Sequence, residues 1–487
     1  MEWSGFALLI LVGVGIISTG LPAAFILIAV ATLGAFIGVA TDTIPVPLLW
    51  ALPGRLINLF DNDLLQALPL YVTMGLLLGR LPVADALYRT SNAILPKKGS
   101  APLVSGMLLG ALLGPMNGSV GASVLGLSRI VAPRLTAEGV PAATRDAIIA
   151  VASTLGVLVP PSLVLILLSD AILNAHTFAV TETGRTDRVL NTQDVFHAAL
   201  VPAMIFIMLC LALAWRAGRN QPLLPGERKR LAPQEAILAT SALIALLVLL
   251  GGVATGYFYA VEAAAVGAFI LLCAGFLTGR LHHKVLRELL HDAIAITGAL
   301  FSLLVAATTF TLMLRLLGTD RLVNNLVAGI PGGDIPATAV VLGVIGICAF
   351  VLDAFEIIFV IIPIVIPPLL VRVADARWVS VLVLLTLQSS FLLPPFGYAL
   401  MMVRGAVKNP APFRPFVRAL APFLVAQWVL LVVVLTVPKL VHFGENIANN
   451  SRAPASPVSN DEIEKRLRDM LPMPPPPPAF EQNKNWN

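Results

Sequence analysis

The sequence predicts an all-α polytopic membrane protein built from two inverted repeats. Three observations lead there. Of the 487 residues, 57% are apolar and only 12% are charged, too few charges to cover a soluble fold of this size. Two proline pairs, Pro160–Pro161 in TLGVLVPPS and Pro394–Pro395 in LQSSFLLPPFG, interrupt runs that would otherwise make ordinary membrane spans. Upstream of each lies a pair of short apolar arms joined by a polar tip.

From Ala147 to Leu168 the residues suit one continuous span. Pro160 and Pro161 each lack an amide proton and clash with the turn before them, so the helix opens over residues 155–160. In hydrocarbon, opened backbone persists only where protein or a water-filled cavity surrounds it. Breaks of this kind form ion and substrate sites in secondary transporters, although for a lone Pro-Pro a packed kink is the better reading. Here the break has a twin, with Pro394 following Pro160 by 234 residues.

GPMNGSVGAS (Gly114–Ser123) joins Ala101–Leu113 to Val124–Ala132, and LDAFE (Leu352–Glu356) joins Ala337–Val351 to Ile357–Leu370. Arms of about 9–15 residues fall short of the ~20 a span needs, so each pair reads as a re-entrant helical hairpin. Asn117 lies 43 residues before Pro160 and Asp353 lies 41 before Pro394. Hairpin and broken helix therefore recur together.

Spans are expected at 4–19, 21–40, 44–80 (interrupted at Asp61–Asp63), 142–173, 196–216, 236–255, 257–278, 293–316, 376–403 and 419–441. Met1–Gly20 lacks a basic start and a small-residue cleavage motif, so it reads as the first span. An odd number of crossings between the hairpins makes them enter from opposite faces. With the N-terminus outside, 19 of the 32 lysines and arginines fall in inside segments. Seven between spans fall outside: Arg55, Arg185, Arg188, Arg315, Arg321, Arg372 and Arg377. That asymmetry selects the N-out orientation.

Val83–Leu95, Leu281–Ala293 and Lys408–Arg418 are amphipathic, and the first two read as matching interfacial arm helices before the hairpins. His282, His283 and His291 read as interfacial groups rather than metal ligands. Cys210, Cys273 and Cys348 read as buried small hydrophobes. From about Glu445 the chain turns polar, with five prolines at Pro474–Pro478, and is expected to be a disordered tail with polyproline II character. The expected organisation is N-terminal spans and arm (1–99), first hairpin and broken helix (100–173), connecting spans and second arm (174–292), a span with the second hairpin and broken helix (293–403), a last span (404–444) and the tail (445–487).

Metalloprotease, nucleophile-elbow, Walker and dinucleotide-binding motifs are not found, so the reading is a non-enzyme without a tightly bound cofactor. Intramembrane polar residues are costly and mark function. Asp353 and Glu356 sit at the second tip, and Glu262 opens a span in YAVEAAAVG. A hard cation such as Na⁺ takes oxygen ligands. In the first repeat Asn117, Ser119 and Ser123 face Ser153, Thr154, the Gly156 carbonyl and Ser162; in the second, Asp353 is set with Gln388, Ser389 and Ser390.

The candidate sodium ligands are thus Ser119, Ser123, Thr154, Gly156, Asp353, Ser389 and Ser390. The candidate substrate-lining residues are Asn117, Gly118, Ser119, Pro160, Pro161, Ser162, Pro394, Pro395 and Gly397. The alternative, that small residues simply let helices approach, is preferred for Ser105, Gly106, Gly110 and Gly114.

LPLYVTMGLLL (68–78), NGSVGAS (117–123), TLGVLVPPS (154–162), VEAAAVG (261–267), LDAFEIIFVIIPIVIPP (352–368) and LPPFG (393–397) carry a resemblance spanning about residues 5–440. The chain resembles the large membrane subunit of tripartite ATP-independent periplasmic (TRAP) transporters, of the ion transporter superfamily. The resemblance implies an elevator-type, Na⁺-coupled importer of organic anions such as dicarboxylates in the bacterial inner membrane. It also implies two partners, a four-span small membrane subunit and a periplasmic substrate-binding protein, and cation sites at the hairpin tips and broken helices. Leu393 stands where the family usually has Thr, and Tyr259, Ala260 and Val261 stand where Thr-Pro-Thr usually precedes the Glu-Ala pair. A stand-alone Na⁺/dicarboxylate or citrate-type carrier and a non-transporting membrane scaffold remain as alternatives.

Overall fold

A computed structural model describes residues 2–96, 99–116, 119–185, 190–219, 232–395 and 397–442. Asn117 and Gly118 of the first tip, and the expected tail at 445–487, lie outside the described residues. Among the described residues every regular element is a helix. The chain opens with α1 (Glu2–Thr19), α2 (Ala23–Ala40), α3 (Val46–Leu49), α4 (Ala51–Phe60) and α5 (Asp63–Arg80). A bend of 61° then leads into α6 (Val83–Ile94).

The first hairpin is α7 (Ser100–Leu113) and α8 (Val120–Ala137), and the first broken helix is α9 (Ala142–Leu155) with α10 (Leu163–Thr183). The connecting helices are α11 (Thr192–Gly218), α12 (Pro233–Ala254), α13 (Ala260–Leu277) and α14 (His283–Leu316). α15 (Thr319–Ala328) precedes the second hairpin, formed by α16 (Asp334–Cys348) and by α17 (Ala354–Glu356), which continues through a wide turn at Ile357–Ile361 into α18 (Ile362–Arg372). The second broken helix is α19 (Ala376–Leu392) with α20 (Tyr398–Ala406), and α21 (Phe413–Thr436) follows.

Eight of these segments are long and apolar enough to cross a membrane: α2, α10 to α14, Ala354–Arg372 and α21. Large apolar side chains on the outer helices, among them Phe25, Phe36, Ile237, Phe269 and Ile294, are exposed. An aqueous protein would hide such a surface, and the chain is a multi-pass membrane protein.

The duplication is regular. α7, α8 and α9 start at Ser100, Val120 and Ala142; α16, α17 and α19 start at Asp334, Ala354 and Ala376, each 234 residues later.

Three expectations are corrected. The second hairpin arms are longer than read, 18 residues in α8 and 19 over Ala354–Arg372. The reason is that the helix winds from the tip itself, where the Ser119 hydroxyl accepts the Ala122 amide. Leu281–Ala293 is not a separate arm, because α14 runs unbroken for 34 residues. The element that precedes the second hairpin as α6 precedes the first is α15, set off from α14 by Gly318 at φ 76°. Finally, Lys408–Arg418 is a loop to Pro412 followed by the first turns of α21. Of the cysteines, Cys210 is buried as expected, but Cys348 is half-buried and Cys273 exposed on an apolar surface.

The broken helices form the interior. Every residue of α9 from Arg145 to Leu155 is buried, as is all of α19 except Arg377 and Ser390. The second half of each break crosses to the other repeat: α10 packs on α18, and α20 packs on α8. α7 lies against α9 through glycines one turn apart. A Cβ on Gly110 would stand 2.3 Å from the Ala152 carbonyl oxygen, and one on Gly156 would stand 2.1 Å from the Gly114 carbonyl carbon. Close packing therefore accounts for Gly110 and Gly114, and for Gly106, whose Cβ would meet Val131 at 3.0 Å.

A buried ion pair completes the tie between repeats. Arg145 donates to Asp146 at 2.8 Å, to the Thr136 hydroxyl at 3.0 Å and to the Asn409 carbonyl at 2.9 Å. Asp146 in turn accepts the Ala411 amide at 2.8 Å.

Two outcomes follow for melting of the purified protein. Gly156→Ala forces two backbones apart and is expected to cost about 1–3 kcal/mol. Arg145→Ala strands the Asp146 carboxylate and is expected to cost about 3–5 kcal/mol. Melting temperatures equal to wild type in detergent would refute both packing assignments.

Candidate functional site at the two helix breaks

At the first break, three helix ends converge. Ser119 is the N-cap of α8, and Ser162 is the N-cap of α10. Gly156 closes the C-terminal end of α9. Ser119, Ser123, Ser153, Gly156 and Ser162 line one small cavity together with Pro115 and Val157. Its volume is ≈ 10 Å³, room for about one water-sized particle.

Two of the hydroxyls, those of Ser162 and Ser153, donate to backbone carbonyls. Ser162 donates to the Val157 carbonyl at 2.9 Å and accepts the Leu165 amide at 3.1 Å. Ser153 donates to the Ala150 carbonyl at 2.7 Å. With their protons committed, these oxygens offer lone pairs, and two helix N-termini add positive dipole ends. Such a cradle can hold a small hard cation on its oxygens and an anion beside its amides.

The structure thus brings Ser119, Ser123, Gly156 and Ser162 together, as the sequence led one to expect. Thr154 does not line the cavity; it is buried, with its hydroxyl donating to the Val151 carbonyl at 2.9 Å. Ser153, one residue earlier and therefore about 100° around the helix, takes the lining place. Pro160 and Pro161, joined by a cis peptide, form the break itself and lie outside the lining.

The second break is built differently. Asp353 opens α17, where its amide donates to the Glu356 carboxylate at 3.0 Å. Ser389 and Ser390 donate to the Leu385 and Leu387 carbonyls at 2.7 and 2.6 Å. Gln388 does not join them: it is fully buried and accepts a 2.9 Å hydrogen bond from Gln427 of α21. Pro394 and Pro395, again joined cis, lead to Gly397, which precedes α20 at the cap position without a side-chain cap. A Cβ on Gly397 would stand 2.7 Å from the Phe391 carbonyl oxygen, so the turn excludes a side chain.

Two features escaped the sequence reading. Tyr398 begins α20, its ring 6.3 Å from that of Phe391, and its hydroxyl lies over Gly121 in the first turn of α8. Tyr398 thus reaches from the second break to the first turn of α8, at the first hairpin tip. Asp170 of α10 accepts a 3.0 Å hydrogen bond from Asn62 at the start of α5. An aromatic at a helix start and an acid near the end of an expected span carry no pattern by which to find them. Glu262, by contrast, is a helix cap: it is exposed and accepts the Tyr259 amide at 3.0 Å in the first turn of α13.

Paired hairpins, each set against a broken helix of an all-helical membrane chain, define a protein of the transporter permease class. The chain belongs to the family described as tripartite ATP-independent periplasmic transporter, DctM component, whose family model matches residues 9–440. It is 22% identical to the 2,3-diketo-L-gulonate TRAP transporter large permease protein YiaN of Escherichia coli, over 89% of this chain and 98% of that one. It is 23% identical to the C4-dicarboxylate TRAP transporter large permease protein DctM of Pseudomonas aeruginosa, over 79% and 86%. A 22% match to the sialic acid TRAP transporter permease protein SiaT of Haemophilus influenzae covers 81% of this chain and 61% of that longer protein. Among solved structures, the YdaH transporter of Alcanivorax borkumensis superimposes with a TM-score of 0.62 at 12% identity, over 80% of this chain and 87% of that one, a likeness of fold.

Ser162→Ala removes both the cap of α10 and a cavity oxygen. The expected loss is about 1 kcal/mol of stability, read as a lowered melting temperature, with Ser162→Asn restoring most of it.

Proposed function

We propose that the chain is the large membrane subunit of a sodium-coupled, elevator-type importer of organic anions, chiefly carboxylates, in the bacterial inner membrane. In this reading it acts with a small membrane subunit of four spans and a periplasmic binding protein that delivers the anion. The observation that carries the proposal is the water-sized cavity where Ser119, Ser123, Ser153, the Gly156 backbone and Ser162 meet at three helix ends. Family membership supports the large-subunit part of the reading, and the names of the relatives support an organic anion as cargo.

Sodium is cargo in this cycle. At the first site the serine oxygens and the Gly156 carbonyl would replace its water. At the second, Asp353, Ser389 and Ser390 supply a carboxylate and two hydroxyls, without a hydroxyl at Leu393. The anion sits between the hairpin tips, near Ser119 and Tyr398, with charge balanced by helix N-termini and bound cations rather than by an arginine. Because α10 packs on α18 and α20 on α8, both hairpins and both broken helices would travel as one body past the outer helices.

Uptake into proteoliposomes under an inward sodium gradient tests the assembly, with the small subunit and the binding protein each added or omitted. Transport that requires all three and sodium is the expected result. Uptake by this chain alone would replace the proposal with a stand-alone carrier. For the site, Ser119→Ala combined with Ser153→Ala removes two cavity oxygens and is expected to raise the sodium concentration for half-maximal uptake by roughly tenfold or more. An unchanged sodium dependence would sink the first cation site.

A further inference from the structure

The first turns of α21 carry a cationic face that the transport cycle leaves unused. Arg414 and Arg418 lie one helical turn apart, both exposed, and with Pro415 and Ala419 they line an open depression of ≈ 310 Å³. Among the described residues no carboxylate pairs with either guanidinium. From Ala376 to Phe443 the chain contains no Asp or Glu, so α19, α20 and α21 offer no neutralising group. The nearest acid on the neighbouring α9 is Asp146, which is fully buried and already bound to Arg145 and the Ala411 amide.

The surrounding loop is held in place. The Arg145–Asp146 pair grips the backbone at Asn409 and Ala411, while Arg404 donates to the Ala411 carbonyl at 3.3 Å and stacks 5.6 Å from the Phe413 ring centre. Lys408, also exposed, adds a further positive charge on this loop.

Beyond Arg418 the same face of α21 turns apolar. Val425, Val429 and Val432 follow at helical spacing, flanked by Trp428, and all are exposed. At 1.5 Å per residue, Arg418 to Val432 spans about 21 Å, somewhat more than one leaflet of hydrocarbon. The lysine and arginine distribution puts Arg404 to Arg418 at the cytoplasmic surface. Two unpaired guanidiniums below an apolar strip match an anionic phospholipid: a phosphate suits bidentate arginine, and an acyl chain suits the strip. A zwitterionic headgroup would bring its own cation into a field that is already positive.

We propose that this face of α21 is a binding site for an anionic phospholipid of the cytoplasmic leaflet, with the phosphate held by Arg414 and Arg418. The test uses the purified full chain in detergent, titrated separately with phosphatidylglycerol, phosphatidylcholine and glycerol phosphate. Bound lipid is counted by native mass spectrometry, and melting is followed in parallel. Phosphatidylglycerol is expected to stay bound and raise the melting temperature, and the other two are not. Arg414→Ala with Arg418→Ala is expected to weaken phosphatidylglycerol binding roughly tenfold or more. Lys284→Ala with Arg287→Ala, an exposed basic pair on α14, should leave it unchanged.

Equal retention of both lipids, or unchanged affinity in the α21 variant, overturns the proposal. So does an equal effect of glycerol phosphate, which would mark a site for free anions, or displacement of the lipid by a co-purified small subunit. Should the double variant fail to fold, the single Arg414→Gln and Arg418→Gln variants and the wild-type comparison of the two lipids still decide it.

Discussion

A helix that stops within a membrane leaves amides at one end and carbonyls at the other, in a medium with no partner for either. The chain meets this constraint twice and by different means. At the first break, Ser162 takes up a carbonyl and an amide at once, and Ser119 does the capping for the facing hairpin. Because serines do this work, the break is rich in oxygen. At the second, the backbone folds on itself, with the Gly397 amide donating to the Leu393 carbonyl at 2.9 Å. No side chain fits at Gly397, and the nearby hydroxyls of Ser389 and Ser390 are turned back onto α19's own carbonyls. The same problem thus yields a hydroxyl-lined pocket in one repeat and a tight backbone turn in the other.

The repeats are interleaved rather than placed side by side. Each exit half packs on the other repeat's hairpin, and Arg145 and Asp146 carry the tie to the loop before α21. The arm helix α6 works at the boundary of this body. Its Asp85 pairs with Arg134 of α8 and with Arg89, which reaches Glu235 of α12 at 2.9 Å. One short helix therefore holds the first hairpin with one hand and an outer helix with the other.

Much of this was legible because proline and tip residues act locally. A Pro-Pro pair opens a helix whatever surrounds it, and the same event 234 residues on exposed the duplication. Side-chain direction was harder to read. Gln388, Ser389 and Ser390 are neighbours in sequence, yet about 100° per residue sends Gln388 toward Gln427. The same rotation exchanges Ser153 for Thr154 at the first cavity. The arm helix α15 was overlooked because it mixes polar and apolar residues over only ten positions, and the continuity of α14 was missed because a change of polarity was read as a boundary. Tyr398 belongs to neither repeat's pattern; only the crossing of α20 onto α8 gives it meaning.

The glycines where the first hairpin meets its broken helix have a consequence of another kind. Gly110, Gly114 and Gly156 bring main chain against main chain, whereas Gly343 of the second hairpin has open space where its Cβ would be, and Ile335, Val340, Val344 and Ile347 of α16 face outward. A contact made of backbone has no side chain left to vary. The two halves, alike in plan, therefore differ in how freely they can drift: one is pinned by atoms every residue shares, and the other is open to whatever residues its surroundings accept.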